Sequence, residues 1–328
     1  MQKYDLKGWD RTMAQCEIAH TSTIKKGFLS NVKKHWRLYL FLLLPLVYLL
    51  VFKYYPMLGL QIAFRKYTIK GGIWNSEWVG MKNFSKFFSS YQFSRILPNT
   101  IILSFYQLLA GFPIPVFLAL CFHALRNQRY KKFVQTVTYI PYFISVVVLV
   151  GMVFQIFNAQ IGLYGKLYML LKGINPNDLL SNPDAFRHLY VWSGIWQNSG
   201  WGTIIYIAAL SGVDTDLYEA AEIDGASRFK RLLHIDLPAI LPTISIMLIL
   251  QSGSIMNIGF EKVYLMQNNL NLSTSEVIST YVYKVGLAAG GGDFSYATAI
   301  DFFNSLVNFL IIVVVNQISK MVSETSLW

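Results

Sequence analysis

Six apolar runs, each about the length of a membrane-spanning helix, constrain this chain more than any other feature. They cover residues 38–55, 100–124, 133–157, 189–210, 239–256 and 302–318. About 20 mostly apolar residues cross a bilayer core, and a helix satisfies its own backbone hydrogen bonds there. The chain is also 54% hydrophobic, above the usual range for soluble domains. The sequence therefore predicts an all-α integral membrane protein with six transmembrane helices.

Three of these predicted spans contain residues that disturb a regular, lipid-facing helix. Pro113, Pro115 and Pro141 remove backbone donors from the second and third runs, so kinks are expected there. The fourth run is polar, because it includes Trp192, Trp196, Gln197, Asn198 and Trp201. We expect its polar face to meet other helices or a cavity.

The positions of lysine and arginine predict that both termini are cytoplasmic. With that orientation, the inside segments 1–37, 125–132, 213–237 and 320–328 carry Lys and Arg at about twice the density of the outside loops. The chain divides into a cytoplasmic tail (1–37), a first span with its external loop (38–98), a core (99–320) and a short cytoplasmic tail (321–328). The excess of 28 basic over 17 acidic residues follows these loops and does not indicate nucleic-acid binding.

Residues 213–238, between the fourth and fifth runs, form a short charged segment. Asp216 and Glu219 have the spacing of a capping pair, which predicts a helix start. Gly225 follows Asp224 and can adopt backbone angles closed to other residues, so a bend is expected there. Pro238 suits the first turn of the fifth span. The segment could dock another protein, or it could lie on lipid headgroups with its arginines facing anionic lipid.

One motif in this segment resembles the EAA loop of ABC importer permeases. The matching positions are Glu219, Ala220, Ala221, Gly225, Ile235, Leu237 and Pro238. Leu232 departs from the pattern, which commonly has an aromatic residue there. Further strings at 78–84, 99–100, 134–141 and 326–328 are similar to the sugar-importer permeases that handle complex oligosaccharides. The resemblance extends from about residue 36 onward, and we call residues 213–238 the coupling segment.

The resemblance implies a type I ABC importer permease architecture and a set of partners. These are a second permease subunit in a heterodimer, two cytosolic ABC ATPases, and an extracytoplasmic sugar-binding protein at a bacterial cytoplasmic membrane. Glu219 would make polar contacts in an ATPase cleft, Gly225 would permit the bend, and we add Asp224 as a charged contact. Gly290-Gly291-Gly292 lacks the lysine of a phosphate loop, so ATP and Mg are expected on the partners and no cofactor, metal or catalysis on this chain.

Polar side chains inside the spans predict where a sugar passes. Asn304 and Asn308 form a stripe on the last span, and Gln251 and Asn257 lie at the end of the fifth. Trp196 and Asn198 on the fourth could match a sugar's apolar faces and hydroxyls. Hydrogen bonding between helices and an interfacial aromatic belt are the alternatives.

The substrate and the energy source leave alternatives open. An acidic oligosaccharide such as alginate would suit the positive outside loops. An ion-coupled secondary sugar transporter would need carboxylates in mid-span, and only Asp301, at a span edge, comes close. A membrane scaffold or receptor subunit would need neither the polar stripes nor the EAA spacing.

Overall fold

The computed structural model describes residues 34–288 and 292–323, which form two compact units divided between residues 61 and 62. The first unit consists mainly of one helical run that begins with α1 (Trp36–Leu49). A π-helical turn (Leu50–Tyr54) and α2 (Tyr55–Met57) continue it into a 3₁₀ stretch, Leu58–Phe64. No residue of α1 is buried, and the predicted span 38–55 lies within the run.

A two-stranded hairpin follows, which the all-helical prediction did not include. Strands β1 (Arg65–Thr68) and β2 (Gly72–Trp78) pair antiparallel, with Arg65 opposite Trp78. Gly72 adopts a positive φ of 61° at the turn. The guanidinium of Arg65 donates to the carbonyls of Trp74 and Ser76, which holds the hairpin closed.

The rest of the described chain is helical. Its elements are α3 (Lys82–Phe88), α4 (Tyr91–Gly111), α5 (Pro113–Ala124), α6 (Gln128–Tyr139), a 3₁₀ turn (Ile140–Phe143), α7 (Val146–Phe157), α8 (Leu163–Lys172), α9 (Pro183–Leu210), α10 (Thr215–Ile223), α11 (Arg228–Arg231), a π turn (Leu232–Asp236), α12 (Leu237–Ser252), α13 (Phe260–Met266), α14 (Leu272–Ser275), α15 (Ile278–Tyr283), a π turn (Lys284–Ala288) and α16 (Phe294–Ser323).

Four helical runs in the described ranges are long and apolar enough to span a membrane. They are Trp36–Phe64, Tyr91–Ala124, Arg228–Ser252 and Phe294–Met321. A fifth is reached if the pair Gln128–Phe143 and Val146–Phe157 counts as one broken span. Pro183–Leu210 is long enough but too polar to qualify by composition, as the tryptophans and amides of the fourth predicted run indicated.

The third predicted span, 133–157, is not one straight helix. Its two halves differ in direction by 100°, and the break falls at Ile144 and Ser145. Pro141 lies in the 3₁₀ turn just before the break, where a kink was expected. Ser145 then caps α7 by accepting from the backbone N–H of Val148 at 3.3 Å. The periodic apolar pattern runs through this corner, so hydropathy alone could not reveal it.

Helix α9 is central to the larger unit and packs against α4, α5, α6, α12 and α14. Its buried positions include Tyr190, Val191 and Ile195 in one apolar cluster and Tyr206 and Leu210 in another. A Cβ on Gly200 would lie 2.0 Å from the carbonyl oxygen of Thr138, so glycine permits the close approach of α6. Neighbouring helices therefore enclose much of the polar surface that made this span unusual.

Candidate coupling segment and transport cavity

The coupling segment begins with α10, and its N-cap differs from the prediction. Asp214, with extended backbone angles, accepts from the N–H of Asp216 at 3.0 Å. Asp216 is already helical, so the predicted Asp216–Glu219 capping pair is wrong. Asp216 instead places a negative charge in the first turn, where the helix dipole favours it.

The bend at Gly225 is confirmed. Gly225 has φ +70°, its N–H donates to the carbonyl of Glu222 at 3.1 Å, and the N–H of Ala226 donates to that of Ala221 at 2.9 Å. This pair of bonds is a Schellman ending, in which a left-handed residue satisfies the last helical carbonyls. A Cβ on Gly225 would meet no atom within 4 Å, so the requirement for glycine comes from the backbone alone.

The second half of the segment runs directly into the fifth span. Ser227 caps α11, and the helix continues without interruption through the π turn into α12. Pro238 lies in the first turn of α12, as predicted, although helical backbone begins ten residues earlier at Arg228. The π bond from the N–H of Leu237 to the carbonyl of Leu232 precedes this proline, which itself has no donor.

The bend carries an exposed surface of acidic and large apolar side chains. Glu219, Ala220, Asp224 and Pro238 are exposed, whereas Ala221, Leu232, Ile235 and Leu237 are partly buried. Ile223 is 87% exposed and Phe229 is 69% exposed on either side of the bend. Sequence reasoning missed Ile223 and Phe229, although two large apolar residues beside a charged Asp-Gly turn are a signal for docking.

A small groove lies between the two halves of the segment. It measures about 300 Å³ and is lined by Ala221, Ala226, Lys230, Arg231, His234 and Ile235. Arg231 pairs with Glu222 across it at 3.3 Å, on the solvent-exposed side. Ala221 and Ala226, the smallest side chains of the lining, leave room in the groove.

Tyr218 attaches α10 to two spans. Its hydroxyl donates to Oδ1 of Asp236 at 2.5 Å and lies 3.3 Å from Nε2 of His123 in α5. Asp236, in the π turn, is 5% exposed. Burial, followed by the hydrogen bond and negative charge of Asp236, raises the pKa of the Tyr218 hydroxyl, so Tyr218 stays a donor. Sequence reasoning missed this contact because its members are up to 113 positions apart.

A polar cavity of about 410 Å³ lies between α4, α5, α9 and the end of α12. Three of the predicted pathway residues, Asn198, Gln251 and Asn257, line it. Ser104, Gln107, Tyr142, Tyr190, Ser199, Trp201 and Ser254 contribute further hydroxyl, amide and aromatic groups. Such a lining suits a sugar, whose hydroxyls need hydrogen-bond partners and whose ring faces stack on aromatic groups.

The asparagines of the last span bond to the chain that follows α12. Asn308 donates to the carbonyl of Gly253 and accepts from the N–H of Met256 at 3.2 Å. Asn304, which is 2% exposed, donates to Oδ1 of Asn257 at 3.4 Å. The stripe therefore supplies hydrogen bonds where the fifth helix ends, and it reaches the cavity only through Asn257.

Trp196 lies on a different surface of α9. It lines an apolar cavity of about 450 Å³ with Met152, Ile156, Leu189 and Trp192. Trp192 donates to the hydroxyl of Tyr106 at 3.0 Å, so the aromatic residues of α9 are divided between this apolar side and the polar cavity.

One buried amine lies behind the wall of the polar cavity. Lys262 of α13 is 8% exposed, and its Nζ donates to the carbonyl of Tyr190 at 2.7 Å and lies 4.6 Å from that ring's centroid. A Cβ on Gly194 would lie 3.0 Å from Nζ and 3.6 Å from Oε1 of Gln107. Burial lowers the pKa of Lys262 to about 7. Within 34–288 and 292–323, no carboxylate lies at ion-pair distance from it.

Metal binding has no evident site in the part of the chain that the structure describes. Groups of three His, Cys, Asp or Glu side chains that could hold an ion are absent from those residues. The glycines 290 and 291, which entered the prediction about a phosphate loop, lie outside the described residues.

Comparison with known proteins identifies the family. Residues 111–324 match the family described as "Binding-protein-dependent transport system inner membrane component". Protein LplB of Bacillus subtilis (strain 168) is 44% identical over 97% of this chain and 99% of its own length. The polygalacturonan/rhamnogalacturonan transport system permease protein YteP of the same organism is 41% identical over 93% and 94%.

Solved structures agree with this result. A bacterial ABC transporter involved in the import of the acidic polysaccharide alginate matches with a TM-score of 0.82 and 35% identity, over 90% of this chain and 99% of that chain. The alginate transporter in complex with an alginate pentasaccharide-bound periplasmic protein matches with a TM-score of 0.83, 36% identity, and 91% and 99% coverage. The chain belongs to the binding-protein-dependent transport family and is a multi-pass sugar ABC importer permease.

Proposed function

We propose that this chain forms half of the pathway through which an ATP-driven importer moves an acidic oligosaccharide across a bacterial cytoplasmic membrane. A second, similar permease completes the pathway as a heterodimer. An external binding protein delivers the sugar, and two ABC ATPases, which bind ATP and Mg, contact residues 213–238. The relatives are transport permeases, which is consistent with a chain that does no chemistry itself.

The coupling segment is the observation that carries this proposal. Glu219 and Asp224 are exposed around a Gly225 bend, and Ile223 and Phe229 expose apolar area beside them. A surface that combines exposed large apolar groups with charge is typical of a protein contact. A loop lying on headgroups would need basic residues at the bend, whereas here the bend is acidic and the cations come after it.

The proposed topology has six spans with both termini in the cytoplasm. The bent pair α6–α7 counts as the third span, and α9 as the fourth. Support for α9 comes from its burial: Gln197 is 7% exposed and Thr203 is fully buried, so these polar groups avoid lipid. Gln197 donates to the carbonyl of Ile144 at 2.7 Å, which also satisfies the backbone where the third span breaks.

The acidic substrate is supported by charge at the cavity and by relatives. Lys262 lies behind Gly194 and Tyr190 of the cavity wall, and a nearby anion would favour its ammonium form. Two relatives are named for polygalacturonan or alginate, both of which are acidic polymers. An outside positive balance adds to the attraction.

A charge reversal at Glu219 tests the coupling role. In proteoliposomes that contain the complete importer, Glu219→Lys should leave membrane insertion intact, release the ATPases and abolish ATP-dependent uptake. Glu77→Lys, the same change at an exposed glutamate of β2, is the matched control and should transport normally. Full sugar-stimulated ATP hydrolysis by Glu219→Lys would refute the docking role. Uptake driven by an ion gradient without ATP would favour the secondary-transporter alternative.

A further inference from the structure

Asp236 is a buried carboxylate at the point where three helical elements meet. It belongs to the π turn that joins α11 to α12, and it is 5% exposed. Tyr218 reaches it from α10 at 2.5 Å, and Nε2 of His123 lies 3.8 Å away at the end of α5. A buried carboxylate is costly unless hydrogen bonds or charges compensate it, and the Tyr218 hydroxyl supplies a hydrogen bond here.

Tyr218 is the main side-chain attachment of α10 to the spans. Leu217, Glu219, Ala220 and Glu222, its neighbours on the same helix, are all exposed. A displacement of α10 can therefore reach the spans through few routes, namely the chain connections at each end, the exposed Glu222–Arg231 pair and the Tyr218 hydroxyl.

The other ends of this contact lie in well-packed structure. Beside Asp236, Leu232 and Leu237 pack against a cluster that includes Tyr206 and Ile240. His123 follows Phe122, which is 3% exposed in α5. A hydrogen bond between α10 and this packed pair of helices couples their positions, because the donor–acceptor distance tolerates little change.

We infer that the contact of Tyr218 with Asp236 and His123, the Asp236 joint, transmits the movement of the coupling helix to the second and fifth spans. This inference rests on the proposed coupling function of residues 213–238. The three side chains are positioning residues, since they act through the helices they connect and touch neither sugar nor ATP.

The decisive experiment separates transmission from stability. Tyr218→Phe removes one hydroxyl and leaves the buried carboxylate short of a donor, so it should lower both thermal stability and transport. The double variant Tyr218→Phe/Asp236→Leu replaces both partners by apolar groups, which is often close to neutral for stability. In the assembled importer it should keep its ATPases and its thermal stability, yet transport at least about fivefold less sugar per ATP hydrolysed.

A matched control and two further outcomes complete the test. Tyr206→Phe removes the hydroxyl of another buried tyrosine near this joint and should leave the sugar-to-ATP ratio unchanged. A normal ratio of sugar transported to ATP hydrolysed in the double variant would overturn the inference that the Asp236 joint transmits movement. If Glu219→Lys meanwhile releases the ATPases, the docking proposal survives on its own. If Glu219→Lys has no effect, the docking proposal fails independently of the joint.

Discussion

Two carboxylates are buried among the residues that the structure describes, Glu276 and Asp236, and the two are stabilised in different ways. Glu276, between α14 and α15, is paired with the guanidinium of Arg95 and lies 3.4 Å from Nζ of Lys284. Asn99 of α4 also donates to its backbone carbonyl at 3.1 Å. Asp236 has a tyrosine hydroxyl and a histidine instead of permanent cations.

This difference indicates which of the two segments, 272–288 or the coupling segment, is held more firmly. Arg95 of α4 pairs with the Glu276 carboxylate, so the segment 272–288 is locked onto α4, and Lys284 adds a second cation from within that segment. The coupling segment is held by neutral and weakly basic groups and is mostly exposed. A contact with a full charge on one side only loses less energy when it is rearranged, which agrees with the proposed coupling role.

The largest effect is expected when the ion pair between Arg95 and Glu276 is broken. Arg95→Met leaves Glu276 with Lys284 alone, and removing one partner of a buried pair is strongly destabilising. Because Arg95 is 30% exposed, we expect a loss of about 2 kcal/mol in the free energy of unfolding, below the range for fully buried pairs. Denaturant titration in detergent measures it, with the exposed Arg129→Met as the control. Equal effects from both would contradict a locked segment.

Lys262 should determine whether the importer prefers acidic over neutral oligosaccharides, and it should contribute little to the stability of the protein. Lys262→Met is expected to reduce uptake of an acidic oligosaccharide relative to a neutral one of equal length by about tenfold, equivalent to roughly 1.4 kcal/mol. Lys262→Arg, which keeps the charge, is the matched variant. Parallel uptake assays in proteoliposomes give the ratio, and an unchanged ratio in Lys262→Met would remove Lys262 from selectivity.

Because of Lys262, the uptake of acidic sugars should depend on pH. Its pKa of about 7 means that the ammonium form is lost as the pH rises through that value, so acidic-sugar uptake should fall while neutral-sugar uptake stays constant. The elements around it carry further titratable groups: Glu261 and Tyr264 of α13, Asp184, Arg187, His188, Tyr190 and Tyr206 of α9, and Tyr281 and Tyr283 of α15. Lys262→Arg should abolish the pH dependence of the uptake ratio, and a dependence that persists would assign it to another group.

The bend of the coupling segment should respond to backbone chemistry alone. Gly225→Ala forces a residue with a Cβ into φ +70°, which costs about 1 kcal/mol. Gly225→Asn should recover much of the loss, because asparagine tolerates this conformation. Gly151→Ala, in α7 where a Cβ also meets nothing within 4 Å, should be neutral or stabilising. ATP-dependent uptake and thermal stability are measured for all three variants. Equal losses of uptake and stability in Gly225→Ala and Gly225→Asn would contradict the left-handed bend as the cause.

The smallest effect distinguishes the two aspartates at the start of α10. Asp214→Ala removes the N-cap and should cost about 1 kcal/mol of local helix stability, whereas Asp216→Ala should cost only a few tenths. Hydrogen exchange of the α10 amides measures the difference. A larger effect at Asp216 would restore the capping pair that the sequence suggested.

Local chemistry made the coupling bend predictable, and distance in the chain hid the rest of the site. Glycine at position 225 has one strong reason to be there, and the structure confirms it. Which of two nearby aspartates caps α10 depended on where helical backbone angles begin, which neighbouring turns decide. The Asp236 joint and the position of Lys262 required the packing of helices far apart in sequence.

The predicted spans also divide into features that local sequence revealed and features that only the packing of the helices could reveal. Apolar length located the helical runs, but the corner at Ile144 and Ser145 lies inside a continuous apolar pattern. The hairpin at β1 and β2 was missed because neither strand sequence, RKYT or GIWNSEW, alternates strictly between apolar and polar residues. The amides of the fourth run were recognised as unusual, while their partners, such as the carbonyl of Ile144, could be known only from the fold.

The π turn at Leu232–Asp236 has a geometric consequence for the fifth helix. One surplus residue in a turn rotates everything beyond it by about 100° about the helix axis. Leu233 and Ile240, seven positions apart, would share a side of an unbroken α-helix, yet Leu233 is 40% exposed and Ile240 is fully buried. Deleting a single residue there would rotate α11 and the bend before it about the helix axis, while α12 kept its position.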